Sequence, residues 1–67
     1  MNKVHYNVDR LQNTEMKTQV KNALSEIPGV KMINIDIGRG SIEVGYGDLA
    51  EENLIRQKIE QTGCKIK

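Results

Sequence analysis

The sequence predicts an α+β domain of element order β, α, β, β, α, β, with a four-stranded antiparallel sheet covered on one face by two helices. Three observations predict it: two apolar stripes at helical spacing, three segments that alternate with the period of a strand, and a Gly-Arg-Gly reversal between the second and third of those segments. The chain of 67 residues is read as one domain over 1–67, since a second core or a large enclosed active site needs more chain.

The first alternation runs over Lys3 to Val8, with Val4, Tyr6 and Val8 on one side and His5 and Asn7 on the other, as in a half-buried strand. From Asn13 to Ile27 the apolar residues Met16, Val20, Ala23, Leu24 and Ile27 recur at i, i+4, i+7, i+8 and i+11, which draws one stripe down a helix. Asn13 or Thr14 supplies the N-cap and Glu15 suits the positive end of the helix dipole. Pro28 moves Ile27 out of the helical region and Gly29 permits a sharp turn, so the helix stops there. A second strand carries Ile33, Ile35 and Ile37 on one face and Met32, Asn34 and Asp36 on the other. Gly38-Arg39-Gly40 reverses the chain, and Ile42, Val44 and Tyr46 resume the alternation as the second arm of a β-hairpin. Asp48 followed by Glu51 has the spacing of a capping box, Leu54, Ile55 and Ile59 form the inward face of a second helix, and Gly63 closes it. A short last strand, Cys64 to Lys67, buries Ile66. Elements in this order fit the ferredoxin-like split βαβ sandwich, in which both helices share one face.

Composition excludes several classes of function. Hydrophobic residues at 37% and charged residues at 28% describe a globular chain and not a disordered one. Ten Lys and Arg against nine Asp and Glu leave a formal charge of +1, without the field that nucleic acid or anionic lipid requires. Tyr6 and Tyr46 turn inward, so the open sheet face has no aromatic platform for stacking bases. A single cysteine, Cys64, forbids an intramolecular disulfide, nothing at the N-terminus reads as a signal peptide, and no apolar run is long enough to cross a bilayer. The cytoplasm is the expected compartment, and membrane insertion is not expected.

The stretch from Val8 to Val30 carries a resemblance. Arg10-Leu11-Gln12-Asn13-Thr14-Glu15-Met16 occupies, without a gap, the place of a Gly-Met-x-Cys-x-x-Cys loop that runs into a helix. Pro28-Gly29-Val30 matches the helix exit, and Gly63-Cys64-Lys65-Ile66 matches a closing Gly-Tyr-x-Val-like segment. Over almost its whole length the sequence resembles the heavy-metal-associated family, which comprises metallochaperones and the N-terminal modules of copper- and zinc-transporting P-type ATPases. The resemblance implies soft-metal handling, Cu(I) above all, and a protein partner such as a metal-transporting P-type ATPase, met with the loop end of the domain. The motif is degenerate, because the two cysteine positions fall on Asn13 and Met16. Two thiolates near a helix N-terminus bind Cu(I) because deprotonated sulfur suits a soft ion and the dipole favours the thiolate. Asn13 is a hard, neutral amide, and Met16 keeps only an uncharged thioether.

Two residues remain as candidate ligands, Met16 and Cys64. In a split βαβ sheet the last strand lies beside the first, which brings Cys64 near the loop from Asp9 to Glu15, and a thiolate with a thioether makes a low-coordinate soft-metal site. Against this, Cys64 shares the parity of Ile66 and points into the core as a small hydrophobe, and Met16 starts the apolar stripe of its helix. Packing is the stronger reading for both. His5 lies on the open sheet face without a second ligand at a suitable spacing. Arg10, Lys17 and Lys21 gather at the start of the first helix, as a solvated face or as a docking patch for an acidic partner surface. No pair of carboxylates forms an acid/base couple, so the chain has no candidate catalytic residue and reads as a binding protein rather than an enzyme. Two functions stay open: a metal-handling protein of at most weak soft-metal affinity, and a metal-independent interaction or regulatory module on the same fold.

Overall fold

A computed structural model describes residues 2–67. The elements follow the expected order: β1 (Asn2–Asp9), α1 (Thr14–Ser25), β2 (Val30–Asp36), β3 (Ser41–Tyr46), α2 (Glu52–Gln61) and β4 (Lys65–Ile66). The sheet order is β2-β3-β1-β4 with every neighbouring pair antiparallel, so β1 and β2 run parallel with β3 inserted between them. Both helices pack on one face, α1 over β2 and beside α2, and α2 against β4. This is the ferredoxin-like βαββαβ sandwich.

Register follows from the alternation. Tyr6 pairs with Ile42 and Val4 with Val44 on one side of β3, while Ile35 pairs with Ile42 and Ile33 with Val44 on the other. The apolar rows therefore coincide, and the helices close over them. Leu24, Ile42, Ile55, Ile59, Val20 and Val44 are fully buried. Each contributes about 1.5–3 kcal/mol through removal of its side chain from water. A β-bulge between Val30 and Met32 shifts the start of β2 relative to β3.

Four sequence expectations need correction. Helix α1 stops at Ser25 with Glu26 as C-cap, short of Ile27. Ile27 is nonetheless buried, because the chain turns back into the core there, with the Ile27 amide on the Leu24 carbonyl. Leu54, expected to face inward, is 38% exposed: Ile55 and Ile59 form the i, i+4 row that meets the core, and Leu54 lies about 100° round the helix from Ile55. The Asp48–Glu51 capping box is not formed. Glu51 is itself the N-cap, without a side-chain cap bond, because Asp48 is used in a tight turn whose Ala50 amide bonds the Gly47 carbonyl. Finally, β4 holds two residues, Lys65 and Ile66, rather than four.

One polar contact crosses the core. The Tyr6 hydroxyl donates to Glu52 Oε2 at 3.1 Å and ties the first turn of α2 to β1. Burial, with the bond to Glu52 adding to it, holds the Tyr6 hydroxyl well above the usual tyrosine value, so it keeps its proton and donates at any physiological pH.

Candidate functional site

The site lies where β1 ends and α1 begins. Only residues 10–13 connect the two elements, so the chain must change direction abruptly. Arg10 makes the change with a φ of 71°, the left-handed conformation that glycine adopts freely, and it is the one non-glycine with positive φ among the described residues. This is the position at which the resembled motif has its glycine. An arginine there costs about 1–2 kcal/mol in backbone strain. Leu11, at the motif's methionine position, is buried and pins the loop to the core.

Asn13 follows in extended conformation and caps α1. Its Oδ1 accepts from the Met16 amide at 2.8 Å, while its carbonyl accepts from the Lys17 amide at 3.1 Å. The side chain at position 13 therefore leans towards the backbone of position 16. Asn13→Ala removes this cap and is expected to cost about 1 kcal/mol. Urea or thermal unfolding reads it, with the melting temperature falling by about 4–8 °C in a domain of this size; an unchanged midpoint would show that solvent replaces the cap.

Met16 is half-buried and packs against the core. Cys64 is free and buried at 3% exposure in that same core. Lys65 pairs with Asp9, so continuing the β1–β4 register by one residue brings Cys64 level with Arg10, at the loop. Leu11, Met16 and Cys64 thus belong to one apolar core, and Asn13 is exposed at the start of α1. The donor set is one thiol, one thioether, and one amide already committed to a backbone N–H. No group of three His, Cys, Asp or Glu residues stands ready to hold a metal ion among the described residues.

Arg10 is exposed in the loop, whereas Lys17 and Lys21 stand one turn apart on the flank of α1 that overhangs β2. His5 is exposed on the open sheet face, opposite Glu43 in the register. Sequence reasoning missed the strained Arg10, although its place at the motif's glycine could have signalled it. It also missed the Tyr6–Glu52 bond, for which no local signal exists. No helix among the described residues is long and apolar enough to cross a membrane.

No family model and no curated protein matches this sequence. Solved structures do. The CopZ metallochaperone is 24% identical, with a TM-score of 0.94, over 98% of this chain and 100% of that one. The CsoZ metallochaperone is 27% identical, with a TM-score of 0.92, over 98% of this chain and 96% of that one. A copper-binding domain from HMA7, a P-type ATPase, is 22% identical, with a TM-score of 0.91, over 100% of this chain and 92% of that one. From β1 to β4 this chain has the fold of the heavy-metal-associated domains, as found in copper chaperones and P-type ATPase modules.

Proposed function

We propose that this chain handles a soft metal ion such as Cu(I) on the fold of the copper chaperones, with lower affinity than a two-cysteine domain, through Cys64 and Met16. The observation that supports the reading is the likeness in fold to metallochaperones, joined to the presence of both sulfurs in one apolar core, Cys64 buried and Met16 packed against it. A soft monovalent ion accepts two sulfur donors, and the thiol must lose its proton to serve as one. Here a single thiolate would replace two, and its burial adds the cost of opening the loop. The domain is a binding protein rather than an enzyme. It works in the cytoplasm and exchanges its ion with a protein partner, such as a metal-transporting P-type ATPase, through the loop end that carries Arg10.

Competition for Cu(I) between the protein and colorimetric chelators of graded strength tests this. The monomer is expected to lose its ion to a strong chelator and to compete with a weak one. Cys64→Ala should reduce that competition about tenfold or more, and Met16→Leu by less. If the parent chain never competes with even the weakest chelator, the metal reading fails and a metal-independent interaction module is what remains. A complex that appears only in a dimer would instead assign the ion to Cys64 of two chains.

A further inference from the structure

We infer that the groove between α1 and the free edge of β2 binds an extended, acidic segment of a partner protein by adding it as a fifth strand. This inference is independent of metal binding and uses a surface away from Cys64. The edge itself supplies the first observation. β2 is the outermost strand on its side, so one row of its N–H and C=O groups has no strand to pair with.

Helix α1 leaves that edge incompletely covered. The same apolar rows that are fully buried on β3, at Ile42 and Val44, are only half-buried on β2, at Ile33 and Ile35. The groove at the start of β2 measures about 230 Å³, with Val30, Met32 and Ile33 forming its apolar wall and Lys21, Ser25 and Lys31 its polar one. Leu49 extends the apolar surface at this end. It is 82% exposed, and its Cβ lies 2.9 Å from where a side chain on Gly29 would begin.

Charge decides the occupant. No acidic side chain lines this groove at the start of β2, which Lys21 and Lys31 border, whereas further along the strand Lys17 shares the surface with Asp36 and Glu43. A lysine on an edge strand ordinarily guards against self-pairing, and the other edge of this sheet is basic too, with Lys65 in β4 and Lys67 after it. The β2 edge of a second copy offers only one acid, Asp36, against Lys21 and Lys31. An extended segment that alternates apolar with acidic residues fits instead. Its backbone completes the ladder, alternate side chains enter the groove, and its carboxylates meet Lys21 and Lys31.

The probe is a ten-residue peptide that alternates valine with glutamate, with a valine–lysine counterpart as control. The acidic peptide is expected to shift the amide resonances of residues 30–36 and the facing flank of α1, and to slow hydrogen exchange along β2. Lys21→Glu combined with Lys31→Glu, both exposed and so compatible with the fold, should weaken binding about tenfold or more. The basic peptide should not bind the parent chain. The inference is overturned if the acidic peptide does not bind, if it maps elsewhere, or if charge reversal leaves its affinity unchanged. It is overturned equally if β2 resonances shift with protein concentration alone, which would give the edge to a second copy.

Discussion

Asn13→Cys combined with Met16→Cys is expected to turn this chain into a strong Cu(I) binder, raising its affinity by roughly a thousandfold or more over the parent. The helix start brings the side chain of position 13 to the backbone of position 16. Asn13 Oδ1 reaches the Met16 amide at 2.8 Å, so a thiolate at position 13 occupies the same space and leans towards position 16. Both sulfurs would then sit at the N-terminus of α1, where the helix dipole favours the thiolate. Arg10, at the position of the motif's glycine, holds the loop in a left-handed turn, and Leu11 is buried in the core beneath it. Without metal the variant loses the asparagine cap and should be about 1 kcal/mol less stable; Cu(I) should more than restore it, since a ligand that binds only the folded state stabilises that state. Thiolate-to-copper absorbance and chelator competition, run on the parent, both single variants and the double variant, check the result. A folded double variant that binds no better than the parent would mean that residues 10–16 do not form a metal loop.

Gly29→Ala is expected to cost roughly 3 kcal/mol or more, close to the whole stability of a domain this small. Two penalties combine there. Gly29 has a φ of 93°, which L side chains rarely adopt, and an added Cβ would lie 2.6 Å from the Ala50 amide nitrogen. That neighbour is backbone, so no rotamer change relieves the overlap. It cannot move freely, because Gly47 donates to the Gly29 carbonyl at 2.8 Å and ties the two turns together. Gly63→Ala separates the penalties. Gly63 has a φ of 102° but nothing within 4 Å of an added Cβ, so it should show the backbone cost alone, about 1–2 kcal/mol. Urea denaturation followed by circular dichroism measures both, and equal costs would show that the contact with Ala50 yields.

Most of the architecture is legible locally because the signals that specify it are local. Alternation in Lys3–Val8 and over residues 41–46 marks strands in any context, since one face must be buried, and a one-residue slip would expose it. Asn13 reads as a cap because its side chain answers an amide three residues ahead. Leu54 could not be read this way. Its place on the helical wheel adjoins Ile55, and only the width of surface that α2 meets decides that one is buried and the other is not. Asp48 and Glu51 have the right spacing for a capping box, yet the close packing of Gly29 against Ala50 bends residues 47–50 into a turn first.

The candidate site divides along the same line. The sequence by itself determined the donor set: one thiol at Cys64, one thioether at Met16 and no second cysteine, which no folding can change. It also determined that Cys64 is apolar-facing, through its parity with Ile66. The expected pairing of the last strand with the first already set Cys64 beside the loop, whereas tertiary structure alone decided its register opposite position 10, the glycine-like conformation of Arg10, and the place of Lys17 and Lys21 in grooves beside β2. The physical reason is range. Side-chain chemistry and period are properties of neighbouring residues, whereas the register of β4 on β1 and the share of the sheet that α1 covers are set by how the two layers pack.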